Sequence, residues 1–463
     1  MSDLLAAFAA AAAHHPDRVA LVEPNGTAVT YADLRSRIDG LAAAWSDLGP
    51  GARVLIALPL GADLYAALAA LWARGATAIL PEPATGLPGL RAALDAVPVD
   101  AMVTAGPYRL LRLVPALWHV RRLPLRAAAK APAHPAQFTD PALISFTSGT
   151  TGAPKAIPRD HGFLAAQRAA IAPLLASDRP EIDLVAFPVF VLLNLAEGRS
   201  SVLPDWPLSR ADRVPPDRLA ALIQRHRVTR LLLPPALCET LSKTRIPDSA
   251  HTIFTGGGPV FPDLVAKLQS RLRVVSVYGS TEAEPIAHLD STGVADADRH
   301  AMETGAGLLA GPPAAGTRIR ILEGEIQVAG PHVVPGYLDP TQDATTKVRE
   351  GGTIWHRTGD AGRLDDQGRL WLLGRTGAVV RTQAGPLYPF AVETAARLWP
   401  GTHRAALAPG PVLAIEGDRA HLPTWRTNAA KFGIDQVRTI DKMPMDRRHR
   451  SKIDLGRLAQ MLR

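Results

Sequence analysis

Nine consecutive residues, 147–155 (TSGTTGAPK), concentrate groups that bind anions. Thr147, Ser148, Thr150 and Thr151 carry hydroxyl donors, Gly149 and Gly152 let backbone N–H groups approach closely, and Lys155 adds positive charge. A loop of this composition after an apolar run, here 142–146, is suited to wrapping phosphate oxygens. It lacks the Gly-Lys-[Ser/Thr] ending of a Walker A loop, and an unspecialised Ser/Thr/Gly surface loop is the plainer alternative. Lysine itself is informative in this chain. Of 51 basic residues 43 are Arg and only 8 are Lys, and a guanidinium does not replace a compact, strongly hydrated ammonium everywhere. Two of the eight, Lys155 and Lys452, lie in segments that stand out.

The elements that must position such groups follow from length and pattern. A chain of 463 residues with 47% hydrophobic and 20% charged residues buries a large core over two or three domains and is not a disordered polymer. The single cysteine, Cys238, excludes a disulfide framework and a Cys-based zinc site and reads as a small buried residue. Net charge is +8, yet the basic residues form no long run and few aromatics are interleaved, so no nucleic-acid partner is expected. The apolar stretch 4–13 is too short to span a bilayer and has no basic n-region, which predicts a first amphipathic helix, no membrane span and a cytoplasmic location. Helical patterns (31–48, 64–73, 219–227, 263–272) alternate with short apolar runs (53–58, 77–80, 230–233, 274–277), the signature of an α/β fold with a largely parallel sheet. From residue 319 short alternating runs with Gly-containing turns predict antiparallel hairpins. Residues 374–377 are a candidate hinge, 121–136 a basic surface connection, and the chain closes in a basic tail.

Residues 146–155 resemble the phosphate loop of the acyl-adenylate-forming superfamily of acyl-CoA synthetases, luciferases and peptide-synthetase adenylation domains. The resemblance continues in register along the chain. Tyr31-Ala32-Asp33-Leu34 and residues 51–58 resemble the N-terminal signature, and 254–259 (FTGGGP, with Gly256, Gly257 and Gly258) the adenine-proximal glycine turn. Tyr278-Gly279-Ser280-Thr281-Glu282 resembles the Tyr-Gly-x-Thr-Glu motif, Thr358-Gly359-Asp360 the ribose-binding motif, and Gly374-Arg375 the end of the large domain. The implied fold is an N-terminal ATP- and acid-binding domain over 1–374, with two α/β subdomains and a small β-barrel-like section. A small mobile α+β lobe follows over 375–463.

The resemblance implies that a carboxylate attacks the α-phosphate of ATP, expelling pyrophosphate and leaving an acyl-adenylate. Tyr278 then stacks on adenine, Asp360 accepts from the ribose hydroxyls, and Arg375 reaches the ribose or phosphate region. Thr281 donates to the α-phosphate, and Glu282 holds Mg²⁺, a hard cation that prefers oxygen ligands. Lys452, on the small lobe, binds the reacting carboxylate and α-phosphate. The plainer alternatives are a core tyrosine, surface acids, a structural ion pair and a solvated basic tail.

Departures from the pattern are specific. Lysine stands eight residues after Pro444 rather than six, and Ser451 replaces the usual Gly. Gly377 stands at the hinge position, Arg381 replaces a common lysine, and Val191 replaces a frequent His. Phe187-Pro188-Val189-Phe190-Val191-Leu192, Leu203-Pro204-Asp205 and the Asp446–Ile453 tail resemble one branch, the β-lactone synthetases of bacterial long-chain olefin biosynthesis. That branch activates a β-hydroxy acid and lets its hydroxyl attack the acyl carbon. The superfamily at large transfers the acyl group to CoA or to a carrier-protein thiol. By resemblance Phe187, Phe190, Asn194 and Ser280 belong to the acid pocket and favour an apolar acyl or aromatic acid. Glu284 is read as a surface or hydrogen-bonded acid, and His161 as a support of the phosphate loop.

Overall fold

The structure, a computed structural model, describes residues 3–82, 85–126, 140–148, 154–382, 385–446 and 451–463. Gly149, Thr150, Thr151 and Gly152 lie outside the described residues, as do the side chains of Thr147 and Ser148. The chain divides into two compact units. One comprises Met1–Leu208, His226–Arg230 and Pro331–Lys347; the other Ser209–Arg225, Leu231–Gly330 and Val348–Arg463.

The first unit holds a six-stranded sheet in the order Arg121–Arg122, Ala101–Thr104, Arg53–Ala57, Thr77–Leu80, Pro141–Ser148, Pro154–Asp160. All pairings are parallel except the last, an antiparallel hairpin. The strands RVLIA, TAIL and AMVT are continuous apolar runs because helices cover both faces of such a sheet. The helix Ala62–Ala73 is buried along most of its length, and its Trp72 donates through the indole N–H to the carbonyl of Ala142 at 2.8 Å. Trp72 thereby ties the helix to the strand that carries the phosphate-loop hairpin. Arg121–Arg122, the start of the stretch 121–136 expected to be a surface connection, is an exposed edge strand paired in register with Ala101 and Met102, while 127–136 lie outside the described residues.

The same unit contains the strands Ile182–Val185, Ser200–Val202 and Val19–Val22, paired in parallel, with Ala28–Thr30 antiparallel at the end. The Tyr-Ala-Asp-Leu signature is a helix start. Thr30 caps the helix Tyr31–Ala44 by accepting from the Asp33 N–H, and Asp33 reciprocates at the Thr30 N–H. Tyr31 is fully buried and its hydroxyl donates to the carbonyl of Arg199 at 2.9 Å.

In the second unit Thr252–Gly256 and Arg273–Ser280 run parallel, and Ala283–Asp290 returns antiparallel. The section expected to be barrel-like is a six-stranded antiparallel sheet. Its main path is Leu308–Gly311, Leu370–Arg375, Thr353–Leu364, Glu325–Ala329, Arg318–Leu322, and Lys347–Glu350 pairs with Thr353–Leu364. After the 3₁₀ turn Thr376–Ala378 come a two-stranded hairpin (Val380–Thr382, Gly385–Leu387), a three-stranded sheet (Thr402–Ala408, Val412–Gly417, Gln436–Thr439) and the helices Pro389–Ala396, Leu422–Ala430 and Leu455–Met461. This stretch encloses cores of its own, one around Val392, Leu413, Ile415 and Trp425 and another around Ala406, Ala414, Met443 and Leu458.

Candidate active site

In the second unit the glycine turn and the Tyr-Gly-Ser-Thr-Glu motif both leave the carboxyl ends of parallel strands, the end at which ligands bind in α/β sheets. Gly256 pairs with Val277, and a Cβ on Gly256 would lie 2.4 Å from the Val277 carbonyl oxygen, so only glycine permits this approach. The motif itself is a tight hairpin. Ser280 and Ala283 are directly paired, which leaves Thr281 and Glu282 as the two residues at its tip. The Ser280 Oγ is buried without a hydrogen-bond partner among the described residues. The described residues thus leave the partner of this hydroxyl unsupplied.

Asp360 and Arg375 face one another across antiparallel strands, with Arg375 Nε 3.3 Å from Asp360 Oδ1. The Tyr278 hydroxyl donates to Asp360 Oδ2 at 2.7 Å. Burial first, and then the charge of Asp360, hold the Tyr278 phenol well above its ordinary value, so it remains a protonated donor at neutral pH. A carboxylate offers about four acceptor positions. Asp360 therefore keeps acceptor capacity for a diol beyond its contacts with Tyr278 and Arg375. Stacking on a base would use the face of the Tyr278 ring, which the hydroxyl contact does not consume.

Sequence reasoning missed Glu325, one of the groups that shape this turn. Glu325, only 8% exposed, accepts from Arg357 Nε at 2.7 Å and from the Gly359 N–H at 3.0 Å. Thr358 Oγ1 donates to the Ile326 carbonyl and accepts from the Asp360 N–H. Arg375 Nη1 donates to the Thr358 carbonyl at 3.0 Å. The available signal was a charged residue on an inward position of the apolar strand EIQVA.

The described parts of the tail, residues 445–446 and 451–453, pair with one another. Met445 and Ile453 bridge, the Asp446 N–H donates to the Lys452 carbonyl at 2.8 Å, and Asp446 Oδ1 accepts from the N–H groups of Ser451 (3.1 Å) and Lys452 (3.0 Å). Asp446 thus fixes the backbone from which the exposed Lys452 side chain extends. Ser451 lies against the glycine turn, where a Cβ added to Gly258 would stand 2.7 Å from the Ser451 Cβ. The glycine turn and the lysine hairpin therefore meet, and the serine that replaces the usual tail glycine sits where its partner has no side chain.

In the first unit the phosphate-loop segment is the end of a β-hairpin. Thr147 pairs with Lys155 and Ser148 with Pro154, so Lys155 stands directly across from the first hydroxyl residue. Lys155 Nζ lies 4.8 Å from the centre of the Tyr337 ring. Lys347, another of the scarce lysines, lies 5.6 Å from the same ring and donates to the Val334 carbonyl. The Leu338 N–H donates to the Ala156 carbonyl, which anchors the Tyr337 segment to the hairpin. Tyr337 is a second residue that sequence reasoning passed over; the Pro335-Gly336 pair before it is the signal the sequence offers.

The segment carrying Phe187, Phe190 and Asn194 is the helix Pro188–Ala196 with Phe187 as its N-cap. Phe187 and Phe190 are partly exposed with ring centres 5.8 Å apart. Asn194 is completely buried, and its amide nitrogen donates to Asp183 Oδ2 (2.9 Å) and Ser201 Oγ (3.1 Å). Arg230 completes this network with two bonds to Asp183, at 2.8 and 2.7 Å. Asn194 thus anchors the helix, and the two phenylalanines are the residues of the trio left at the surface. His161 begins the helix after the hairpin, 1% exposed and edge-on to Trp72 at 5.7 Å. Burial pushes its imidazole down to about 4 against the opposing pull of Asp140 and Asp160, so it is neutral at physiological pH. A neutral ring packed on the tryptophan that anchors the hairpin strand acts by packing.

A Tyr–Asp–Arg cluster beside a glycine turn at the carboxyl ends of parallel strands is an arrangement suited to a nucleotide. The chain belongs to the AMP-binding enzyme family, whose model matches residues 8–338. It is 31% identical to an olefin β-lactone synthetase of Stenotrophomonas maltophilia, over 97% of this chain and 96% of that protein. It is 30% identical to a salicyl-AMP ligase/salicyl-S-ArCP synthetase of Mycobacterium tuberculosis, over 80% of this chain and 72% of the other. Among solved structures, O-succinylbenzoate coenzyme A synthetase of Bacillus subtilis, in complex with ATP and magnesium ion, shares the fold with a TM-score of 0.79 at 22% identity. That match covers 98% of this chain and 99% of the other. The protein is an AMP-forming, carboxylate-activating ligase.

Proposed function

We propose that this enzyme activates a β-hydroxy acid as its acyl-adenylate and closes the adenylate to a β-lactone. The observation that carries the reading is the likeness to an olefin β-lactone synthetase over nearly the full length of both chains. In the first step a carboxylate oxygen bonds to the α-phosphorus, the bond to the bridging oxygen breaks, and pyrophosphate leaves with its electron pair. In the second the β-hydroxyl oxygen attacks the acyl carbon, the acyl–phosphate C–O bond breaks, AMP leaves, and the hydroxyl proton is released. The chain's own work is binding and charge placement. Tyr278 and the turn 256–258 hold the base, Asp360 and Arg375 the ribose side, and Thr281, Lys155 and the hydroxyls of 147–151 the phosphates. Lys452 holds the reacting carboxylate, with Phe187, Phe190 and Ser280 toward the acyl chain.

Glu282, at the tip of a hairpin, presents a carboxylate suited to a hard cation, and Mg²⁺ would take its other ligands from phosphate and water. Among the described residues no group of three or more His, Cys, Asp or Glu is placed to hold a metal ion. When bound, the cation offsets charge on the departing pyrophosphate. Residues 375–463, with their own strands and cores, are assigned to a small lobe hinged at 374–377, and 1–374 to the ATP- and acid-binding domain. The reaction is assigned to the cytoplasm, where ATP is available. No described helix is long and apolar enough to cross a membrane.

The second reading is transfer to CoA or a carrier-protein thiol, favoured by the similarity to a salicyl-AMP ligase/salicyl-S-ArCP synthetase. Mass spectrometry of products from β-hydroxy fatty acids separates the two. The lactone reading predicts a product one water lighter than the acid, formed with no thiol present. A thioester that forms only on addition of CoA or a carrier protein, with no lactone, contradicts it.

A further inference from the structure

Residues 106–126 carry apolar side chains on both faces of one surface segment. The 3₁₀ turns Gly106–Leu113 and Pro115–Leu117 press Leu111, Val114 and Leu117 inward, where they pack with Leu55, Leu90 and Met102. That face anchors the segment. The opposite face presents Leu110 (62% exposed), Leu113 (65%) and Trp118 (62%) to solvent. Leu87 (59% exposed) opens the helix Gly86–Ala96, whose Leu90 belongs to the same inner cluster. An isolated exposed leucine needs no explanation, whereas several on one anchored segment mark an interaction surface.

Charge narrows the partner. Arg109, Arg112 and Arg122 are exposed on the same segment. The sequence contains no Asp or Glu between residues 101 and 139 but five Arg and one Lys. Arg121 is paired with Asp47, which leaves the other arginines to set the sign of the face. A second copy of the chain docking here by two-fold symmetry would oppose Arg to Arg. Single-stranded nucleic acid calls for a series of aromatic platforms, and leucines have no π-face. Leucines that enter the acyl boundary, a tryptophan at headgroup level and arginines facing anionic headgroups are the combination that an interfacial segment uses.

We propose that residues 106–126 form a peripheral docking face for an anionic lipid surface, on which the enzyme lies without spanning the bilayer. The inference rests on this segment alone and is independent of which product the enzyme makes.

The test is co-sedimentation of the full chain with vesicles of phosphatidylcholine, with and without phosphatidylglycerol, at low and high salt. The expected result is binding to the anionic vesicles only, weakened by salt, and reduced about tenfold or more by the Arg109→Gln/Arg112→Gln pair. The Leu110→Ser/Leu113→Ser pair is expected to weaken binding to a similar degree, with acid-dependent pyrophosphate release retained as evidence of an intact fold. If the leucine variant does not fold, the arginine pair and the salt series still decide. Absence of sedimentation with anionic vesicles, equal binding to neutral ones, or variants that bind as well as the parent would overturn the proposal. So would self-association or capture of an acidic carrier protein that the same variants abolish while vesicles go unbound.

Discussion

Replacing Lys452 with Ala is expected to lower the turnover number for acid-dependent pyrophosphate release by about 10²–10³-fold, while the Kd for ATP moves little. The magnitude is that of removing one fixed charge donor from a reacting phosphoryl or acyl centre. The split between turnover and affinity follows from its role: a cation that meets the carboxylate and α-phosphate as they react stabilises the transition state more than the bound nucleotide. The change leaves in place the bonds that the backbone N–H and carbonyl of residue 452 make with Asp446. Steady-state kinetics and equilibrium ATP binding on the same preparation check this. An unaltered turnover number would return Lys452 to a solvated tail.

The second large effect belongs to Gly258. A methyl group there meets the Ser451 Cβ at 2.7 Å, closer than real Cβ contacts occur. The lysine hairpin must therefore shift, and a displacement of about 1 Å at a reacting group costs on the order of 10²-fold in rate. Gly258→Ala is expected to show that loss. Ser451→Gly removes the opposing Cβ and leaves the Ser451 carbonyl oxygen, at 3.4 Å, as the nearest atom of that residue. In the double variant the rate is expected to recover by an order of magnitude or more, while Ser451→Gly alone stays close to the parent. A double variant as slow as Gly258→Ala would place the damage in the glycine turn's own contact with nucleotide. A full-rate Gly258→Ala would mean that the hairpin does not need this seat. The cycle reads coupling directly, since a purely local effect of either change would simply add.

These residues show how far the sequence was legible. The motifs were visible as residue types at fixed spacing, and the structure explains several of them locally. The Tyr-Ala-Asp-Leu signature is a capping box, the Tyr-Gly-Ser-Thr-Glu run a two-residue hairpin, and the tail lysine the closing position of a second hairpin. The alternation after residue 319 correctly indicated antiparallel strands, since period-two patterning follows from strand geometry. Residues defined by contacts distant in sequence stayed hidden. Glu325 holds the Thr358–Asp360 turn from more than thirty positions away, and Tyr337 meets Lys155 across a still longer interval. Asn194, assigned to the acid pocket by resemblance, has its amide nitrogen bonded to Asp183 and Ser201, contacts that its neighbours in sequence do not announce. The seat of Ser451 on Gly258 could not be read from either segment alone, because a departure in one is compensated by the missing side chain of the other.

The most direct test of the central claim, a carboxylate-activating site built on Asp360, Tyr278 and Lys452, is acid-dependent exchange of labelled pyrophosphate into ATP. The account predicts exchange that requires both Mg²⁺ and a β-hydroxy fatty acid, is absent without the acid, and collapses in Lys452→Ala. Bound ATP with no exchange across fatty, aromatic and β-hydroxy acids would contradict it and make the chain a nucleotide-binding protein that has lost adenylation.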